Sequence, residues 1–128
     1  MEFTNEVRAL LETAEQKVLA TMGSDGPNVI PLSMVEVASD RIYICDCFMD
    51  KTVANIRNET RVALAFWKGF EGVQIKGSVS YKTEGAEFER FRNWLLERHP
   101  DRTLRGVLIV VPTAVYDIAP ARAGMKLA

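Results

Sequence analysis

The sequence predicts a mostly β domain with peripheral helices, in which six strands form a small, mainly antiparallel closed or split barrel. Two observations predict this fold class. Six segments have the pattern of strands, and several of them are joined by tight turns. The chain has 128 residues, the size of one ordinary domain, and contains no internal repeat or linker. We therefore treat residues 1–128 as a single domain.

The strands are predicted from apolar alternation and from the turn residues between them. The clearest segment is 73–82, where apolar and polar residues alternate strictly. Asp25 and Gly26 form a hairpin signal, and Pro31 confines the following strand to an edge, a bulge or a gap in pairing. The six predicted strands cover residues 17–23, 28–37, 41–47, 61–67, 73–82 and 106–118.

Three short helices are predicted from apolar residues at helical spacing. Thr4 or Asn5 can cap the first helix, and the second and third cover about residues 50–58 and 86–98. The tail, residues 119–128, is expected to be loose unless a partner surface orders it.

Charge and composition argue against several classes of partner and location. The formal net charge of -1 gives no general attraction to nucleic acid or to an anionic membrane. The polar, acidic amino terminus does not resemble a signal peptide, and no apolar run reaches the ~20 residues of a spanning helix. Cys45 and Cys47 are too close along one strand for an easy disulfide, so we expect free thiols and a cytoplasmic protein.

Metal and hydrolytic chemistry lack their usual residues. His99 is the one histidine and lies far along the chain from both cysteines, so a closed zinc site is not expected. The sequence contains no nucleophile elbow, no Walker loop and no dinucleotide fingerprint.

The start of the second predicted helix carries a cation where an acid would be favoured. Asp50, Lys51 and Thr52 stand at this position, and a helix start already has a partial positive charge. A bound phosphate would accept the free N–H groups, the threonine hydroxyl and the lysine ammonium together. The alternative is that Lys51 extends into water beside an Asp50 cap. This segment alone does not decide between them.

The fifth predicted strand carries a regular polar face formed by Gln74, Lys76 and Ser78. This face either contacts solvent or meets a polar ligand or a second subunit, and the segment leaves both open.

Three segments resemble the small FMN-binding proteins of the pyridoxamine 5'-phosphate oxidase-like group in order and spacing. They are DGPNVIPLSM, FMDKTVANI and VQIKGSVSYKTEGAEFERF, and the resemblance covers roughly residues 4–118. The most specific pattern combines Met49, Lys51, Thr52 and Asn55 with the glycine-serine strand at residues 77–78. The resemblance implies a split β-barrel that forms a homodimer and holds one FMN noncovalently near each end of the interface.

The resemblance also implies roles for individual residues. Lys51 and Thr52 match the positions that hold the FMN phosphate, and Gln74 matches a glutamine that the neighbouring subunit often contributes to the flavin. The remaining residues match segments that line the isoalloxazine ring or run from it toward the phosphate: Pro31, Leu32, Ser33 and Met34, then Cys47, Phe48 and Met49, with Asn55 completing the helix motif.

One departure from the family bears on the substrate. Oxidases of the group carry further basic residues for the phosphate of their vitamin substrate, whereas here the matching strand carries Ile30, Leu32 and Met34. We therefore expect a flavin-dependent oxidoreductase or electron carrier with an unidentified donor and acceptor. The alternative is a module that binds or senses a flavin, or haem as in related barrels, without turnover.

Overall fold

The structure, a computed structural model of residues Met1–Ala128, consists of one antiparallel sheet of seven strands with three helices around it. The strand order is β2-β1-β5-β6-β7-β4-β3, and every neighbouring pair is antiparallel. The predicted fold class, a mainly antiparallel split barrel, is therefore confirmed. The helices are α1 (Asn5–Thr13), α2 (Asp50–Asn58) and α3 (Ala86–Arg98), and the strands are β1 (Gln16–Gly23), β2 (Gly26–Pro31), β3 (Val35–Val37), β4 (Ile42–Asp46), β5 (Arg61–Lys68), β6 (Glu71–Lys82) and β7 (Gly106–Asp117).

The predicted count of six strands is wrong by one, because residues 28–37 form two strands. Pro31 ends β2, and β2 and β3 lie at opposite edges of the sheet. Proline cannot donate to a ladder, so it terminates an edge strand without breaking a central one. The N–H of Leu32 still donates to Lys17 O at 2.9 Å, after which the chain crosses to the other edge. Residues 32–34 therefore bridge the opening where the barrel is split.

The main core lies on the inner face of the sheet. Leu19, Leu64, Ile75 and Val115 occupy matching positions on β1, β5, β6 and β7, and each is at most 1% exposed. Burying such a side chain contributes about 1.5–3 kcal/mol. A second, smaller cluster forms where Phe91 of α3 and its neighbours pack against β4 and β7.

The predicted positions of the three helices are confirmed. Thr4 is the N-cap residue of α1. Its Oγ1 accepts a hydrogen bond from the N–H of Val7 at 3.2 Å. Val7 and Leu11 then present the buried side of α1 to the main core. Neither α1 nor the other two helices have the length and apolar character needed to cross a membrane.

The expectation of a loose tail is wrong, because residues 119–128 fold back onto β7. The N–H of Val115 donates to Ala128 O at 2.9 Å, and the N–H of Leu127 donates to Val115 O at 2.7 Å. The side chain of Leu127 packs against the main core. Asp117 supports the turn by accepting from the N–H of Ala119 at 2.8 Å. The chain's own apolar contacts therefore order the tail.

Candidate functional site

A cavity of about 250 Å³ lies beside the opening of the split barrel. One wall is the connection between β2 and β3, and the other is the loop that joins β4 to α2. The first turn of α2 closes one end. The lining residues are Ile30, Pro31, Ser33 and Met34 on the first wall, Cys45, Cys47, Phe48 and Met49 on the second, and Asp50, Lys51 and Thr52 at the helix start.

The cavity gathers most of the residues predicted for the site but leaves out three of them. Leu32 is 8% exposed and belongs to the main core. Asn55 is buried on the side of α2 that faces β1, and Gln74 lies half-buried on the outer face of β6 between Ala65 and Tyr116. Within a single chain, Gln74 is therefore not part of the cavity, and its predicted role requires a second subunit.

Sequence reasoning did not place Ile30, Cys45 and Asp50 in the site, although all three line the cavity. Two of them had a usable signal. Ile30 lies on the same face of the predicted strand 28–37 as Met34, which was predicted for the site. Cys45 shares a strand face with Cys47, which was also predicted. Asp50 was considered only as a helix cap.

The start of α2 has no side-chain cap. Met49 is the N-cap residue and makes no side-chain capping bond, and no side chain accepts from the backbone N–H groups of the first three helical residues, 50–52. These groups have no intrahelical acceptor because the first four N–H groups of any helix lack one. Asp50 does not act as the cap that the alternative interpretation assumed. Its Oδ1 instead accepts from Arg105 Nη2 at 2.7 Å.

The ammonium of Lys51 is bound by a carboxylate from the β1–β2 turn. Lys51 Nζ lies 2.6 Å from Asp25 Oδ2, and both side chains are about 60% exposed (60% and 61%). The hydrogen bond from Lys51, followed by its charge, lowers the pKa of Asp25 below its ordinary value. Solvent screens such an exposed pair, so an anionic ligand can replace the aspartate at low cost.

A buried amide network holds α2 against the sheet. Asn55 Nδ2 donates to Thr21 Oγ1 at 3.0 Å, and Asn28 Nδ2 donates to Thr52 Oγ1 at 3.4 Å. Gly23 of β1 leaves room for the Asn55 side chain, because a Cβ at position 23 would lie 2.4 Å from Asn55 Oδ1. Asn55 therefore fixes α2 against β1 and does not line the cavity.

The cavity wall includes two free thiols whose pKa values are raised. Burial raises the pKa of Cys45 to about 12. Burial, followed by the neighbouring charge of Asp46, also raises the pKa of Cys47. Both side chains are therefore protonated near neutral pH, where a thiol is a poor nucleophile. The wall that they form is uncharged.

We expect the two cysteines to be alkylated slowly by iodoacetamide at pH 7, because thiolate is the reacting species and both pKa values are raised. The rate should rise with pH, and Cys47, which is half-buried, should react before the buried Cys45. Mass spectrometry of digested protein measures both rates. Cys47→Ser should remove the faster phase, and Cys45→Ser should retain it. Fast alkylation that does not change between pH 7 and 9 would contradict the raised pKa values.

The fold and the site together define a split-barrel protein with an apolar cavity that ends at an uncapped, lysine-bearing helix start. Residues 3–119 match the family model described as pyridoxamine 5'-phosphate oxidase. The chain therefore belongs to the pyridoxamine 5'-phosphate oxidase-like family, and the resemblance noted from the sequence is confirmed.

Proteins similar to this chain include an archaeal relative and two solved structures. An uncharacterised protein of Methanocaldococcus jannaschii is 30% identical over 124 residues, which cover 92% of this chain and 82% of that protein. The crystal structure of HupZ from Group A Streptococcus has a TM-score of 0.83 at 21% identity and covers 95% of this chain and 98% of that chain. An FMN-binding protein from Syntrophomonas wolfei has a TM-score of 0.73 at 20% identity and covers 88% of each chain. The two structures share the fold of this chain.

Proposed function

We propose that this protein binds FMN as a homodimer and acts as a flavin-dependent oxidoreductase or electron carrier. One observation carries the proposal: an uncapped helix start with a lysine and a buried threonine forms one end of a cavity with an apolar wall. Membership of the oxidase-like family and the similar fold of an FMN-binding protein support it.

The helix start fits the phosphate end of FMN. Lys51 supplies a positive charge, and the backbone N–H groups of the first turn of α2 are uncapped. Thr52 lines the cavity and is 1% exposed, and its Oγ1 accepts from Asn28 Nδ2 at 3.4 Å. Helix N-termini bind phosphate through these N–H groups and through the favourable dipole. Asp25 binds the same ammonium, so the phosphate would compete with that carboxylate.

The rest of the cavity fits an uncharged ring. Ile30 and Met34 form one apolar wall, and Phe48 stands opposite them at the loop before α2. Bound FMN supplies reversible one- or two-electron transfer, which is chemistry of the cofactor itself. The chain binds the phosphate, orients the ring and limits the access of water, and the protonated thiols add no charge beside the ring.

A second copy of the chain would complete the site. The cavity of about 250 Å³ is smaller than the roughly 300–1,000 Å³ of typical ligand pockets. Phe48, at its rim, is 72% exposed, and Gln74 on the outer sheet face is out of reach within one chain. The outer face also carries Ala20 paired with Ala63, and these small side chains allow close approach of another sheet. Both free thiols are consistent with a reducing cytoplasm, where we place the protein.

Titration of purified protein with FMN tests the proposal. We expect uptake at micromolar FMN, quenching of flavin fluorescence, and a stoichiometry of one FMN per chain in a dimer measured by sedimentation. Haem and riboflavin titrated in parallel show which ligand the cavity selects. Protein that takes up no FMN would refute the proposal. Full FMN affinity in a monomer would refute its dimeric part.

A binding or sensing module without turnover is the second candidate, and the cavity lining favours it in one respect. The lining contains no histidine, and its one carboxyl group, Asp50, is paired with Arg105. The site therefore offers neither a histidine nor a free carboxyl group as a proton donor for a substrate. Stopped-flow reduction with NADH and NADPH discriminates these functions: rapid reduction supports an oxidoreductase, and no reduction by any tested donor supports the binding module or an electron carrier.

A further inference from the structure

A buried aspartate lies directly behind the wall of the cavity. Asp46 ends β4, is 0% exposed and does not line the cavity. Its Oδ1 accepts from the N–H of Met49 at 2.7 Å, and its Oδ2 accepts from Tyr81 Oη at 2.5 Å. Met49 is the N-cap residue of α2, so one carboxyl group holds the end of the loop and the start of the helix.

We propose that Asp46 and Tyr81 act as a positioning pair, which fixes the loop of residues 47–49 and thereby preorganises the cavity for its ligand. The identity of that ligand as a flavin rests on the proposed function. The loop carries Cys47, Phe48 and Met49. Together with Cys45, these residues form the wall opposite the β2–β3 connection. Movement of the loop would change the width of the cavity and the position of the helix start together.

The two hydrogen bonds of Asp46 give it a positioning role. A buried carboxyl group costs free energy unless it is fully hydrogen-bonded, and an apolar residue at this position would leave the Met49 N–H and the Tyr81 hydroxyl without their acceptor. Only a side chain with two acceptor oxygens can bind both groups at once. The geometry that these two bonds impose is therefore the specific contribution of Asp46.

Gly106 leaves the space through which Tyr81 reaches the Asp46 carboxyl group. Gly106 of β7 is the register partner of Asp46, and Tyr81 approaches from β6 on the other side of β7. A Cβ at Gly106 would lie 2.2 Å from Cζ of the tyrosine ring. Any other residue at position 106 would therefore push the ring away from Asp46.

Arg105 adds a second link between β4 and the helix start. Its backbone N–H donates to Asp46 O at 2.8 Å, and its guanidinium lies 3.9 Å from Asp46 Oδ2 and bonds Asp50 at 2.7 Å. Burial and the hydrogen bond to Asp46 raise the pKa of Tyr81, which keeps the phenol protonated as a donor through neutral pH.

Tyr81→Phe tests the pair because it removes a single hydroxyl. In protein without ligand, we expect amide hydrogen exchange at Met49 to become about tenfold faster while exchange at the core residue Leu64 changes little. With ligand, we expect riboflavin affinity to fall by about two- to tenfold because the wall contacts the ring, and FMN affinity to fall by at least as much because the helix start moves with the loop. Tyr43→Phe, on β4 but outside the cavity and packed against Phe91, should leave both exchange rates and both affinities unchanged.

Gly106→Ala provides a second variant, since it displaces the ring while keeping both members of the pair. It should reproduce the changes seen with Tyr81→Phe. Unchanged exchange at Met49 in both variants, or equal acceleration at Met49 and Leu64, would overturn the proposal. Wild-type protein that binds no flavin would refute the proposed function, whereas the exchange measurement would still decide whether the pair fixes the loop.

Discussion

Replacing Lys51 with alanine is expected to lower FMN affinity by about ten- to a hundredfold and to leave riboflavin affinity nearly unchanged. The ammonium lies at the uncapped start of α2, where it can reach the phosphate that FMN carries and riboflavin lacks. Fluorescence titration of both ligands at fixed ionic strength measures the difference. Because the contact is between charges, the loss for FMN should shrink as salt is added.

Two further variants make the Lys51 result specific. Lys68→Ala removes an exposed lysine at the far end of β5, which does not line the cavity, and should change neither affinity. Asp25→Asn removes the carboxylate that competes for the Lys51 ammonium, and should strengthen FMN binding without affecting riboflavin. Equal losses of FMN and riboflavin in Lys51→Ala would show that this lysine does not bind the phosphate.

Leu64→Ala is expected to lower the free energy of unfolding by about 2–5 kcal/mol. Leu64 is 1% exposed and lies between Leu19 and Ile75 in the main core, so its loss leaves a cavity that the neighbouring strands cannot fill. Small domains are stable by about 5–15 kcal/mol, so this single change removes a large part of the total. Urea unfolding followed by tryptophan fluorescence measures it.

Leu96→Ala is the matched control for this experiment. It makes the same chemical change on α3, where the leucine side chain is 49% exposed. Its effect should stay within about 0.5 kcal/mol, as for most surface substitutions. A similar loss in both variants would contradict the assignment of the main core.

The fold was predictable from the sequence wherever one side of an element is buried. The alternation in β6 and the apolar spacing in α1 and α3 are local patterns that report burial directly. The split of residues 28–37 into β2 and β3 was not predictable in this way. Pro31 predicted an edge, a bulge or a gap in pairing, but apolar residues continue beyond it, so the sequence alone did not show that β2 and β3 lie at opposite sheet edges. The packing of Leu127, which orders the tail, is likewise a tertiary contact.

The candidate site was predictable as far as it depends on short motifs. The segment from Cys47 to Thr52 lies on one stretch of chain, and the family pattern identified it. The side chains that hold this stretch come from elsewhere: Tyr81 is 35 residues from Asp46, and Asp25 meets Lys51 through the β1–β2 turn. No spacing rule links such residues, because their contact depends on strand order and register.

The two outermost strands of the sheet have a further consequence for how molecules of this protein meet one another. β3 has three residues, and β2 has six, of which Pro27 and Pro31 cannot donate a ladder hydrogen bond. Short or proline-containing edge strands offer few backbone hydrogen-bonding groups to a strand of another molecule. Fibril-like growth by intermolecular strand addition is therefore disfavoured, although the barrel is left open.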